Sequence, residues 1–171
     1  IKMDKEDRPI ADGVALFSGR SFSGETLNPE QGVLLNILNE TLGHSTRITY
    51  LYEGSPVSIR INKSKRNITV LETEIEIEKK IEVVVTEFPQ DHLKDKQIRS
   101  KLQQFLTENI EKDMNEVMEK LQKAKSDAIG LGRIVRAYHP SLYNEDWNEH
   151  FSTLNIPVKV NVELVKTGIL Y

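Results

Sequence analysis

The sequence predicts an α+β fold: an antiparallel or mixed β-sheet with one long amphipathic helix packed on a face and shorter helices at the ends. Two stretches carry that expectation. Over residues 73–87, Ile75, Ile77, Ile81, Val83 and Val85 occupy odd positions, while Glu74, Glu76, Glu78, Lys80 and Glu82 fall between them. This is the two-residue period of a strand with one face on a core and the other in water. Over residues 98–128 the period becomes helical, and Ile98, Leu102, Phe105, Leu106, Ile110, Met114, Val117, Met118, Leu121, Ala124 and Ala128 form an almost unbroken apolar stripe. The lengths match, at about 50 Å for the strand with roughly 3.3 Å per residue and about 45 Å for a helix with roughly 1.5 Å per residue. We therefore expect the two to lie against each other.

In chain order, residues 13–27 read as two short strands turning at Ser18 to Ser21, with Gly19 supplying the permissive backbone. Asn28-Pro29-Glu30 reads as a helix start, Asn28 capping and Pro29 at the first helical position, where a missing N–H costs nothing. Val33, Leu34, Ile37, Leu38 and Leu42 follow at helical spacing, and Gly43 is the expected stop. Residues 47–52 and 57–61 read as strands about a turn at Glu53-Gly54-Ser55-Pro56, and the polar residues 62–67 as a connection. The long strand is taken as unbroken. A two-residue hairpin at Lys79-Lys80 would put Ile81 and Glu78 on one face, and a three-residue loop lacks its usual Gly or Asn. In the long helix Glu108 with Lys112, Glu116 with Lys120 and Glu119 with Lys123 stand at favourable i,i+4 spacing. Residues 133–138 are a short strand or more helix, ended by Pro140. Residues 144–151 read as a short helix carrying Trp147 and Phe151 on one side, and Ile156, Val158, Val160, Val162 and Leu164 as a closing strand.

Composition excludes several classes of function. A chain of 171 residues, 38% of them hydrophobic, can bury a core without a metal or disulfide staple, so residues 1–171 are read as a single α+β domain. With no cysteine there is no thiol nucleophile and no zinc–thiolate site. A formal charge of -3 and a pI near 5.9 leave no basic footprint for nucleic acid. No apolar run approaches the roughly 20 residues that span a bilayer. The abrupt polar start, Ile1-Lys2-Met3, leads us to expect a soluble piece of a larger protein.

Gly130-Leu131-Gly132-Arg133 invites comparison with phosphate-binding loops. A dinucleotide fingerprint places its glycines between a strand and a helix, with a third glycine where Val135 stands here. We expect instead that Gly130 or Gly132 takes the left-handed conformation and ends the long helix, whose carbonyl end repels phosphate. His44, His92, His139 and His150 are scattered. Only Asp146 and His150 share a helix face, without a third ligand, so no metal or cofactor is expected. The row Glu74, Glu76, Glu78 and Glu82 is what a solvated strand face gives, and Ser18, Ser21 and Ser23 have no base nearby. The expectation is a protein that is not an enzyme.

Asp127 with Gly130 and Gly132 after a long helix, then Pro140, Trp147 and Phe151, then the alternating strand ending at Thr167-Gly168, resemble the C-terminal signature of the Ger(x)C family. At the other end, residues 13–17, 24–27 and 30–35 resemble that family's hairpin and helix opening. The resemblance implies the C-terminal domain of a lipoprotein C subunit of a bacterial spore germinant receptor. It further implies acylation at an N-terminal cysteine outside this chain, a place on the outer face of the spore inner membrane, and membrane-embedded A and B subunits as partners. His139-Pro140-Ser141-Leu142-Tyr143 departs from the more basic stretch expected before the tryptophan. The implied role is in receptor assembly and the germination response, with Tyr138, His139 and Tyr143 as the expected interaction surface, since connections carry such surfaces. The alternative is a small-molecule sensor with a pocket between the long helix and the sheet.

Overall fold

The structure, a computed structural model, describes residues 2–3, 6, 8–10, 12–41, 46–88, 93 and 95–167. Leu42, Gly43, His44, His92 and Gly168 lie outside the described residues. The elements are β1 (Lys2–Met3), β2 (Pro9–Ile10), β3 (Val14–Ser18), β4 (Ser21–Leu27), α1 (Pro29–Leu38), β5 (Arg47–Tyr52), β6 (Ser55–Val70), β7 (Ile75–Glu87), α2 (Lys96–Lys123), α3 (Leu131–Tyr138), a 3₁₀ turn (Pro140–Leu142), α4 (Trp147–Thr153) and β8 (Val158–Thr167). β1 pairs with β2 and β3 with β4, each pair antiparallel. The main sheet runs β5-β6-β7-β8, antiparallel except for the parallel β7–β8 pair, so it is mixed.

The alternation over 73–87 does make one strand, β7, and its apolar residues point inward: Ile75, Ile77, Ile81, Val83 and Val85 are all buried. The outer glutamates meet polar partners, Glu76 with Lys159 at 2.9 Å and Glu78 with the Asn67 amide at 3.3 Å. Residues 62–67 are not a connection. β6 continues through them to Val70, antiparallel to β7 along its whole length. A register shift between Ile61 and Lys63 changes which residues face inward, so Ser64, Arg66, Ile68 and Val70, rather than apolar residues throughout, take over the inner face. That part of the sheet is only half covered, which is why its composition looks like a loop.

Two helix ends differ from expectation in the same way. α1 ends at Leu38, where Glu40 N–H bonds Ile37 O and Thr41 N–H bonds Asn36 O, with Glu40 at φ 59°. α2 ends at Lys123, where Lys125 N–H bonds Gln122 O and Ser126 N–H bonds Leu121 O, with Lys125 at φ 49°. Both are Schellman closures with a charged residue in the left-handed position that usually goes to glycine. Each side chain then makes a bond that a glycine could not: Glu40 accepts from the Arg66 N–H at 2.5 Å, and Lys125 pairs with Glu149 at 2.5 Å.

The core lies between the inner face of the sheet and the helices. α2 contributes Leu102, Leu106, Ile110, Met114, Val117 and Leu121, each with no exposure. The polar shoulder of the same helix runs antiparallel along the outer edge of β8. Thr107 Oγ1 accepts from Val162 N–H at 3.3 Å, and Glu111 from Val160 N–H at 2.8 Å. Asn115 both accepts from Val158 N–H at 3.0 Å and donates to Val158 O at 2.8 Å, and Arg99 donates to Leu164 O. The fit is geometric, since four helical residues advance about 6 Å and two strand residues about 6.6 Å. Asn115→Ala orphans both backbone groups of Val158, and we expect a loss of about 1–3 kcal/mol in chemical denaturation. A loss no larger than that of an exposed α2 substitution would contradict the pairing.

Candidate functional site: the Asp127 loop and its aromatic stack

α2 stops before the glycines, so neither Gly130 nor Gly132 ends it. Gly130 does adopt the left-handed conformation, φ 74°, but it stands immediately before α3 and opens that helix. Here a helix N-terminus does present its N–H groups to an anion, and the anion is the chain's own Asp127. Its Oδ1 accepts from Leu131 N–H at 2.9 Å, and its Oδ2 accepts from Gly132 N–H at 2.7 Å and from Trp147 Nε1–H at 2.8 Å. The place a phosphate would take is filled by a carboxylate.

Gly132 has helical backbone and is needed for space. A Cβ there would lie 2.6 Å from Trp147 Nε1 and 2.7 Å from Cδ1. Trp147 and Phe151, one turn apart on α4, are both buried in the core. The loop between α2 and α3 is also tied from behind. Ala128 O accepts from the Asn39 amide at 3.0 Å, and Ile129 O accepts from the Arg66 guanidinium at 3.3 Å. One loop thereby joins α1, β6, α3 and α4.

From this anchor an aromatic stack reaches the surface. The Tyr143 ring lies parallel to Trp147, centroids 5.7 Å apart and planes at 8°, and the Arg136 guanidinium sits 5.6 Å from the Tyr143 centroid. His150 meets the Trp147 ring edge-on at 5.8 Å. Tyr138, at the end of α3, is 77% exposed, and His139 is half-buried. The stack lines two clefts. One, of about 570 Å³, reaches Leu71 and Glu74 at the β6–β7 turn. The other, of about 540 Å³, is bounded by Phe17 of the β3–β4 hairpin and by Arg133 and Arg136 of α3.

Residues 133–138 are helix, not strand, because α3 is closed at its start by Asp127. Asp146 is at the N-cap of α4, where its side chain makes no capping bond; among the described residues no group of three potential metal ligands forms. The seam where a sensing pocket was expected, between α2 and the sheet, is filled by the buried α2 side chains. A cleft of about 320 Å³ does open between α1, β5 and Asp113, where the Tyr50 hydroxyl donates to the Asp113 carboxylate at 2.9 Å.

Sequence reasoning passed over Lys79. It occupies an inward position of β7 between Ile77 and Ile81, its side chain has no exposure, and its Nζ has no hydrogen-bond partner. Glu40 Oε1 stands 3.8 Å away, and Arg66 is its cross-strand neighbour. Burial pushes the Lys79 ammonium down to about 8; Glu40 opposes that fall and Arg66 adds to it. The signal was present as a lysine at an odd position in an otherwise apolar register.

Residues 12–168 match the family described as spore germination B3/GerAC like, C-terminal. The chain belongs to this family. The match agrees with the resemblance read from Asp127, the two glycines and Trp147. The GerAC-like chain is similar to the spore germination protein B3 of Bacillus subtilis (strain 168), with 28% identity over 126 residues, covering 68% of this chain and 34% of that protein. Its fold is similar to the crystal structure of the GerBC protein, with a TM-score of 0.76 at 21% identity, covering 95% of this chain and 54% of that one. The GerAC-like chain thus spans about a third of the curated relative and about half of the solved structure.

Proposed function

We propose that this chain is the C-terminal domain of the C subunit of a spore germinant receptor, and that it acts without catalysis by holding the receptor together during the response to nutrients. In this reading residues 1–171 form one domain of a lipoprotein anchored on the outer face of the spore inner membrane, and the membrane-embedded A and B subunits are its partners. The family match over residues 12–168 supports the setting. The observation that carries the role is the surface from Arg136 to Tyr143: an exposed aromatic ring, Tyr138, at the end of α3, and Arg136 over the Tyr143 ring, with the start of α3 held by Asp127 and Tyr143 stacked on Trp147. A rigid base under an exposed aromatic is what a protein–protein contact uses, since little ordering remains to be done on binding.

The test is Tyr138→Glu in the full-length protein in spores. The expected result is a lower level of the A and B subunits, or slower germination, with the melting temperature of the isolated chain unchanged. A nutrient germinant that raises the melting temperature of the isolated chain saturably would instead make it a sensor and overturn this reading.

A further inference from the structure

The cleft between the β3–β4 hairpin and α3 has an unbalanced charge. Its lining includes Phe17, Asp127, Arg133, Arg136, Tyr143 and Trp147. The carboxylate of Asp127 is consumed by two backbone N–H groups and the Trp147 indole. Arg133 and Arg136 are exposed, and among the described residues neither has a carboxylate partner; the Arg133 guanidinium lies over Gly130 and that of Arg136 over Tyr143. Arg20 adds a third exposed cation in the hairpin turn. Glu25 pairs with Lys123 at 2.7 Å and Glu149 with Lys125 at 2.5 Å, while the exposed Glu145 and Asp146 lie on the segment between Tyr143 and Trp147 and do not line the cleft. In a chain whose net charge is -3, the lining carries two arginines against the single carboxylate of Asp127, whose oxygens are already occupied by N–H donors.

The rim is apolar. Phe17 and Phe22 pair with ring centroids 5.9 Å apart yet remain 51% and 53% exposed. Phe17 lines the cleft with the arginines and Phe22 stands beside it on the hairpin, so a ligand that covers both rings and also reaches Arg133 and Arg136 extends along the rim. We propose that this cleft docks an acidic peptide segment of a protein partner, its carboxylates received by Arg133 and Arg136 and its apolar residues by Phe17 and Phe22. The proposal rests on the assembly reading above and adds the chemistry of the partner. Arginine suits the task because its planar fork takes a carboxylate through two hydrogen bonds while its face stays stacked on tyrosine.

The experiment selects displayed random peptides on the 171-residue chain and measures binding of the recovered peptides by fluorescence anisotropy. Peptides rich in Asp and Glu with aromatic or aliphatic neighbours are expected, binding more weakly as salt rises. The double variant R133E/R136E should weaken binding about ten- to a hundredfold. R133Q/R136Q, which removes charge without reversing it, should weaken it less, and Arg60→Glu on the opposite side of the sheet should leave it unchanged. Neutral or basic peptides, or acidic peptides that bind R133E/R136E as well as the parent, would overturn the proposal. So would phosphatidylglycerol vesicles that bind through these arginines and displace the peptides, since the surface would then be a membrane contact. If peptide binding is lost in R133E/R136E while receptor assembly in spores stays normal, the cleft stands as an acidic-peptide site and the assembly reading falls.

Discussion

Gly132→Ala is expected to lower the unfolding free energy by about 2–4 kcal/mol, although alanine is ordinarily the better residue inside a helix. The new Cβ would stand 2.6 Å from Nε1 and 2.8 Å from Cε2 of Trp147. The indole has nowhere to retreat, with Tyr143 stacked on its face and its N–H held by Asp127. Moving it breaks a hydrogen bond to a carboxylate and uncovers a buried aromatic ring. Gly19→Ala is the control. That glycine has φ 59° but nothing within 4 Å, so its substitution carries only a conformational cost of about 1 kcal/mol. Denaturant melts with the near-ultraviolet signal of the sole tryptophan distinguish the cases. Equal losses at the two positions would mean that Gly132 is not kept for the indole.

Lys79→Met is expected to stabilise the protein at pH 7, by about 1–3 kcal/mol. The ammonium is out of water in the core without a hydrogen bond, the Glu40 carboxylate stands only at the limit of an ion pair, 3.8 Å away, and the cross-strand neighbour Arg66 carries the same sign. The sign with pH follows from linkage. The folded-state value of about 8 lies below the ordinary 10.5, so between them the unfolded chain binds more protons and stability rises with pH. The cost of burying the charge is therefore full below pH 8 and is relieved as pH climbs towards 10.5. Lys79→Met should remove that rise while filling the same space with an unbranched apolar chain. A variant less stable at pH 7 would show that the ammonium anchors the fold, and an alkaline rise that survives the substitution would belong to another group.

These two sites mark how far the sequence could be read. Strand β7, helix α2 and the capped start of α1 are local patterns, each set by alternation, by an apolar stripe or by Asn28 with Pro29, and they appear where expected. Residues 62–67 failed because their inner positions face a half-open part of the sheet, so burial put little pressure on their composition. The helix ends failed because Glu40 and Lys125 accept a strained backbone in exchange for ion pairs with residues distant in sequence. Asp127, Gly130, Gly132 and Trp147 could be picked out as markers. What joins them is one carboxylate receiving N–H groups from two helices, and that depends on how α3 and α4 meet. Lys79 was hidden by the regularity around it.

The helix that lies along β8 also limits what two copies of this chain can do to each other. A sheet polymerises edge to edge only if both of its sides offer unpaired backbone. Here the N–H groups of Val158, Val160 and Val162 are taken by Asn115, Glu111 and Thr107, which leaves β5 as the outer strand of the main sheet with no strand beyond it among the described residues. Two chains meeting through their main sheets can therefore join only along this side, made of β5 and of the part of β6 beyond Ile61 that β5 does not reach. A contact of β5 with β5 uses the same surface on both partners about a two-fold axis, and its product ends in a helix-covered strand at each side. Association of that kind closes at a dimer and does not propagate into a fibre.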